Sequence, residues 1–152
     1  MESLHHRRER LRTLYQMMAG IPAEFVNLGS WRRSAGGMRI VPDKVLLRHE
    51  CGTAACAMGW ATAYPEFIAM GLHKDIDGEP IFNGLRHYDA AASFFGIDDT
   101  QSYRLFSPNY GMRDDKEVFL GRLRNLMVEL RMITRQRSDE LESEETEAAC
   151  VA

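Results

Sequence analysis

A regular apolar stripe near the end of the chain places the strongest limit on its fold. Large apolar side chains recur at spacings of four, three, four and three residues, at Phe119, Leu123, Leu126, Leu130 and Ile133. This period puts them on one side of an α-helix, which must bury that side against other elements. We therefore predict a long C-terminal helix, the longest of the chain, packed in the core of a helical domain.

Glycine, proline and capping residues divide the rest of the chain into shorter helices. Ser, Thr and Asp accept hydrogen bonds from the free N–H groups at helix starts, whereas Gly and Pro end helices. In the first helix we expect Arg7, Arg8 and Arg12 to face water. These signals predict helices over residues 3–20, 54–63, 85–95 and 100–106, a helical turn over 66–71, and a start of the long helix at Asp114 and Asp115. Ser3 is the predicted cap of the first helix, Gly96 ends the third, and Asp98 or Asp99 caps the fourth.

One short segment has the pattern of a β-hairpin. Asp77 and Gly78 lie between Ile76 and Ile81, and an Asp-Gly pair is typical of hairpin turns because these turns require positive φ. We expect a small β-hairpin near residues 72–83. The predicted fold class is therefore mainly α (α+β), a single compact helical domain with this hairpin and a long C-terminal helix.

Charge divides the chain into a domain, residues 1–135, and an acidic C-terminal extension, residues 136–152. The last seventeen of the 152 residues hold six acidic residues and one arginine, although the net charge of the whole chain is only −3. A segment of this composition buries little apolar surface. We expect a solvated helical extension that frays at its end, and the alternative is a segment that docks on a basic partner.

Composition also narrows the class of protein. No apolar run approaches the roughly 20 residues of a membrane span, and the charged start does not resemble a secretory signal. A net charge of −3 argues against a protein that coats nucleic acid. Three cysteines form no regular framework, as is typical of reduced cytosolic thiols. We therefore expect a cytoplasmic protein without a membrane or nucleic-acid partner.

The segment CGTAACAMGWA, residues 51 to 61, is the most distinctive part of the sequence, and three interpretations compete for it. Cys51 and Cys56 could hold a metal with His49, but no second ligand pair follows them. Cys51 could be a nucleophile at a helix start, but no orienting carboxylate is evident. In the third interpretation Cys56 and Gly59 belong to a structural surface of small side chains, on which other elements pack closely beside the anchor Trp60. Cys51 belongs to the same structural motif. We favour this interpretation and expect no metal, no cofactor and no catalytic residue.

A ligand site is the functional alternative for the same segment. A helix opened by Gly52 and Thr53 would present free N–H groups and the positive end of its dipole to an anion. Arginine beside aromatic rings suits a nucleotide or another phosphorylated ligand. The candidate ligand-binding residues are Arg48, His49, Gly52, Thr53, Arg86, His87 and Tyr88, with Trp31 or Tyr64 as further aromatic neighbours.

Several ordered motifs resemble a group of short phage and bacterial proteins. Their shared pattern is Cys-Gly-Thr-x-x-Cys-x-x-Gly-(Trp or His)-Ala, followed by a Gly-Leu turn, an Ala-rich helix ending near Phe-Phe-Gly, and a Leu-Phe-x-Pro element. In this chain the pieces are residues 51–61, 71–72, 90–96 and 105–108, with Val26-Asn27-Leu28 and Trp31 upstream. The resemblance implies a small intracellular protein of phage or mobile-element type, often an accessory factor that binds host machinery.

The leading functional prediction is a non-enzymatic accessory protein that binds a host or phage protein. Leu120, Met127 and Met132 lie off the main stripe of the long helix, and we expect them to form a second stripe for a partner or for a homo-oligomer. A small-ligand sequestering module is the alternative. A virion component and a thiol-dependent enzyme remain open.

Overall fold

The fold is mainly helical, as predicted. A computed structural model describes residues 2–31, 42–49 and 54–151. Over these residues a three-stranded antiparallel sheet accompanies the helices. No helix of the described part has the length and apolar content that crossing a bilayer requires. The helices are α1 (Leu4–Gly20), α2 (Asp43–Leu47), α3 (Ala57–Ala61), α4 (Pro65–Ala69), α5 (His87–Phe95), α6 (Asp99–Phe106), α7 (Asp115–Glu129) and α8 (Arg135–Val151).

Helix α1 begins at the predicted cap and ends where predicted. The Ser3 hydroxyl accepts a hydrogen bond from the His6 N–H at 3.1 Å, which satisfies one of the free donors at the helix start. Leu11, Leu14 and Met18 are fully buried. This helix therefore supplies one wall of the core.

We predicted that the arginines of α1 face water, but in the structure they donate hydrogen bonds to main-chain oxygens of other elements. Arg7, Arg8 and the buried Arg10 donate to the main-chain oxygens of Ser93, Gly96 and Phe94, at 2.9, 3.0 and 2.8 Å. These carbonyl groups lie at the end of α5, where no intrahelical donor is left for them. Arg12 likewise donates to the Met132 oxygen at 2.7 Å, at the turn after α7. The cationic side chains of α1 thus satisfy the ends of two other helices.

The sheet confirms the predicted hairpin and extends it by one strand. Strands β1 (His73–Lys74), β2 (Pro80–Phe82) and β3 (Leu85–Arg86) lie in sequence order. Asn83 and Gly84 have φ values of 51° and 78°, as a two-residue primed turn requires. Residues 85–86, which we predicted to be helical, are therefore a strand.

The turn at Asp77 and Gly78 differs from the predicted two-residue turn. The Asp75 N–H donates to the main-chain oxygen of Glu79 at 3.0 Å, so residues 76–78 form a three-residue loop between the strands. Gly78 is the last residue of this loop and has a φ of 78°. Three-residue loops of this kind place a glycine at this left-handed position.

The helices that follow begin and end at the predicted signals. Helix α5 ends at Gly96, whose φ is 66°. Asp98 caps α6 by accepting from the Gln101 N–H, and the Gln101 side chain accepts in return from the Asp98 N–H. Asp114 caps α7 by accepting from the Glu117 N–H at 3.1 Å. Both caps confirm predictions made from local sequence.

The long C-terminal helix is divided into two. Phe119, Leu123 and Leu126 are buried as predicted, but α7 ends at Glu129. The chain reverses at Arg131, whose φ is 58°, and α8 follows. The acidic segment is helical as far as Val151.

The prediction of a second, partner-facing stripe on the long helix is also wrong. Leu120 and Met127 are each only 2% exposed and belong to the hydrophobic core. Met132 lies after the helix and is half-buried against the same core. These residues are therefore not available to a partner in this fold.

Candidate functional site

Helix α3 begins later than predicted. Ala55 pairs with Val26 in a parallel bridge, and the Cys56 N–H donates to the Ser30 oxygen at 2.7 Å. Cys56 caps the helix, since its sulfur accepts from the Gly59 N–H at 3.4 Å. The helix start is thus at Cys56, and the prediction that Gly52 and Thr53 open it is wrong. Cys51, Gly52 and Thr53 themselves lie outside the described residues.

The small residues of this segment allow a very close approach of the main chain. A Cβ atom added to Gly59 would lie 1.6 Å from the main-chain oxygen of Trp31. Trp60 is 2% exposed and donates from Nε1 to the Phe25 oxygen at 2.9 Å. Cys56 is equally buried. These contacts support a structural role for Cys56, Gly59 and Trp60.

His49 belongs to the edge of this same core. Its ring stacks on Phe25 with 5.0 Å between centroids and meets the Trp60 ring edge-on at 5.5 Å. Arg48 ends helix α2, and its Nε donates to the Lys44 oxygen at 3.0 Å. Both residues therefore have identified contacts within the fold.

The end of strand β3 and the start of α5 supply two more of the predicted ligand-binding residues, and both face carboxylates. Arg86 Nη1 donates to Asp75 Oδ2 at 2.7 Å, and His87 Nε2 lies 2.5 Å from Glu79 Oε2. The Glu79 N–H is the main group that lowers the pKa of the Asp75 carboxyl, and Arg86 also contributes. An anionic ligand would have to compete with these two carboxylates for Arg86 and His87.

Tyr88 and His87 meet Trp31 in an aromatic cluster. The Trp31 ring stacks on His87 at 6.0 Å between centroids and is tilted against Tyr88 at 6.1 Å. Tyr88 in turn contacts Tyr103 at 5.2 Å. Burial raises the pKa of the Tyr88 hydroxyl, and the nearby Cys56, Tyr103 and Tyr110 groups raise it further. His87 and Tyr88 therefore lie beside Trp31, one of the two aromatic neighbours, Trp31 or Tyr64, that the sequence analysis left open.

The outer part of this cluster was not predicted from the sequence. Tyr103 is 54% exposed, Tyr110 is 88% exposed and Met112 is fully exposed. Tyr110 and Met112 lie between Pro108 and Asp114 in the connection from α6 to α7. Large apolar side chains among turn residues were the available signal, because a loop gives them no core to enter. We call Trp31, His87, Tyr88, Tyr103 and Tyr110 the aromatic face, to which Tyr110 belongs because it acts electrostatically on the Tyr88 hydroxyl.

Polar side chains lie beside the aromatic face. An open groove of about 190 Å³ between α6 and α7 is lined in part by Arg104, Arg122 and Glu129. Arg122 Nη1 donates to the Ser107 oxygen at 2.6 Å, and its charge also acts on the Tyr88 hydroxyl. Burial lowers the pKa of the Arg122 guanidinium.

Metal ligation has no candidate among residues 2–31, 42–49 and 54–151, since no group of three or more His, Cys, Asp or Glu side chains converges there.

No family model, no curated protein and no solved structure matches the chain. The resemblance to phage and bacterial proteins therefore stays a prediction.

Proposed function

We propose that this chain is a non-enzymatic accessory protein of phage or mobile-element type that binds a host or phage protein in the bacterial cytoplasm. The observation that carries the proposal is the aromatic face, where Tyr103 and Tyr110 are exposed beside Trp31, His87 and Tyr88. Aromatic side chains and Met are enriched at protein interfaces, and Trp and Tyr supply most binding hot spots.

Part of the aromatic face is held by rigid elements. Tyr88 lies on α5 and Tyr103 on α6. The two helices are joined by the Ser102 hydroxyl of α6, which donates to the main-chain oxygen of Tyr88 at 2.7 Å. Side chains already fixed by their helices lose little conformational freedom when a partner binds. This preorganisation favours recognition by surface contact.

The edge of the aromatic face is polar. Arg104, whose side chain is 62% exposed, lies 3.7 Å from Glu129. Arg113 is paired with Glu117, and both side chains are more than half exposed. An apolar centre with a charged rim is the usual composition of a protein interface.

Cys51, the nucleophile that the thiol-enzyme alternative requires, lies outside the described residues, and of the two cysteines that the structure describes Cys150 is exposed and Cys56 is buried. Cys56 is 2% exposed and its sulfur accepts a hydrogen bond from the Gly59 N–H, so a substrate has no access to it. The small-ligand alternative keeps Trp31, His87 and Tyr88, but Arg86 and His87 face Asp75 and Glu79. We therefore place protein binding before both.

Site-specific photocrosslinking tests the proposal. A photoreactive phenylalanine analogue replaces Tyr103 or Tyr110 in the full chain, and Ile76, which is 91% exposed on the hairpin loop, is the control position. We expect one defined protein to crosslink from positions 103 and 110 and not from 76. The double variant Tyr103→Ala/Tyr110→Ala is expected to weaken binding of that protein by about tenfold or more.

The outcome of this experiment separates the competing functions. Crosslinks that are equal at positions 76, 103 and 110, or absent from all of them, would contradict protein binding through the aromatic face. A crosslink only to particle proteins would indicate a virion component instead.

A further inference from the structure

A carboxylate of α8 is held between two other helices. Arg124 of α7 donates from Nη1 to one oxygen of Glu145, and the Tyr15 hydroxyl of α1 donates to the other. The Arg124 side chain is 7% exposed and that of Glu145 is 16% exposed. Lys116 also acts electrostatically on this carboxylate. We call Tyr15 and Arg124 the carboxylate receptor.

The other contacts of α8 with α7 are polar and lie nearer the solvent: Arg135 Nη1 donates to Asn125 Oδ1 at 2.9 Å, and Glu142 lies 3.8 Å from Arg124. Over residues 135–150, Ser138 is buried, Leu141 and Glu145 are half-buried, and the other side chains are exposed. Arg137 pairs with Glu140 and Glu144 within the helix itself, on its exposed side. Because α8 buries so little apolar area, its position depends on these polar contacts, of which the one between Glu145 and its receptor is the least exposed.

The turn that returns α8 to the receptor is strained. The Arg131 and Met132 N–H groups donate to the Val128 and Met127 oxygens at 2.9 and 2.8 Å, which is the Schellman arrangement of a helix end. Its left-handed position is occupied by Arg131, with a φ of 58°, although glycine is the residue that adopts this conformation without steric conflict. A turn that is short and strained favours opening into an extended arm.

We propose that α8 exchanges between two copies of this chain, so that Glu145 of each copy binds the carboxylate receptor of the other. The second copy is the fitting occupant because the segment complementary to the receptor is the chain's own α8, attached through a strained turn. The exchanged contacts are those of the closed monomer, and opening releases the strain at Arg131. This inference is independent of the aromatic face and of its partner.

Complementary charge reversal tests the exchange. In a closed monomer, Arg124→Glu sets two carboxylates against each other, and Glu145→Arg sets two guanidinium groups against each other. In an exchanged heterodimer of the two variants, one receptor regains the original Arg124–Glu145 pair and the other receives the same pair with its charges reversed. After partial unfolding and refolding as an equimolar mixture, we expect a heterodimer in native mass spectrometry and neither homodimer.

The matched control uses an exposed glutamate of the same helix. Glu144 is 60% exposed and pairs within α8. A mixture of Arg124→Glu with Glu144→Arg is therefore expected to give no heterodimer, because one of its two receptors would still set two carboxylates against each other. The Glu144→Arg variant keeps the original Arg124–Glu145 pair and is expected to exchange only with itself. Monomers only in the first mixture, with circular dichroism showing folded variants, would overturn the proposal. A heterodimer in both mixtures would overturn it as well.

Variants of the turn provide a second test that leaves the receptor unchanged. Arg131→Val disfavours the left-handed conformation more strongly, since valine is β-branched, whereas Arg131→Gly removes the conflict. We expect the association constant of the dimer, measured by analytical ultracentrifugation, to rise about tenfold in Arg131→Val and to fall in Arg131→Gly, each relative to the unmodified chain. Equal constants for the two variants, or the opposite order, would contradict an exchange through this turn.

Discussion

Gly59 is the residue whose identity the fold restricts most. A Cβ atom there would lie 1.6 Å from the Trp31 oxygen, 2.8 Å from the Trp31 carbonyl carbon and 2.9 Å from the Ala55 Cβ. Two of these atoms belong to the main chain, which cannot move aside as a flexible side chain could. The contact joins α3 to the main chain of Trp31. Because Trp31 also belongs to the aromatic face, packing at Gly59 supports the proposed site.

Gly59→Ala is therefore expected to destabilise the protein by about 3 kcal/mol, because the main chain of Trp31 must shift. Gly20→Ala is the control, since nothing lies within 4 Å of a Cβ at Gly20 and alanine is the better helix former. The measurement is the free energy of unfolding from urea titration. Equal stability of the two variants would show that the approach at Gly59 is looser than described.

Helix ends are the feature of the elements that the sequence predicted best. The Ser3, Asp98 and Asp114 caps and the Gly96 stop were all identified from residues within a few positions of the helix end. The Asn83-Gly84 turn carried an equally local signal, and the helix prediction for residues 85–86 overrode it. Strand β3 has only two residues, too few for a period to distinguish it from a helix.

The capping box of α6 gives a prediction at this scale. Asp98→Ala removes the acceptor for the Gln101 N–H, and we expect the free energy of unfolding to fall by about 1 kcal/mol. Asp99→Ala is the matched control, because Asp99 lies inside the helix and its neighbour is the capping residue. Thermal unfolding of both variants checks this, and an equal loss in Asp99→Ala would refute the assignment of the cap.

At the scale of the whole molecule, charged side chains link helices across the core by donating to the main-chain oxygens at the ends of other helices. Arg10 is 4% exposed, donates to the Phe94 oxygen and lies 4.4 Å from the Phe94 ring centroid. Lys116 of α7 donates to the Ala19 and Ile21 oxygens at the end of α1, and burial lowers the pKa of its ammonium group. These bonds satisfy carbonyl groups that their own helices leave unpaired.

Tyr15 connects α1 to α8 and gives the protein a pH dependence. Burial, followed by the hydrogen bond and charge of Glu145, raises the pKa of the Tyr15 hydroxyl well above its ordinary value of 10.0. Above that pH the unfolded chain releases the proton while the folded chain retains it. The stabilisation by Tyr15 is therefore complete below pH 10 and decreases as the pH rises further.

Tyr15→Phe removes this group without emptying its site. We expect the free energy of unfolding of the variant to decrease less steeply above pH 10 than that of the unmodified chain. Denaturant titrations between pH 8 and 11 measure both slopes, and Tyr110→Phe is the control because Tyr110 is 88% exposed. Parallel curves for Tyr15→Phe and the unmodified chain would contradict the raised pKa.

The sequence by itself determined the starts of α1, α6 and α7, the end of α5, the mainly helical class and the buried stripe of α7, because neighbouring residues settle capping and periodicity. Only the tertiary structure decided the partners of residues far apart in the chain. Arg7 and Ser93, Gly59 and Trp31, or Tyr15 and Glu145 meet because the helices cross where they do. An arginine on a helix has the same local pattern whether it faces water or a distant carbonyl group.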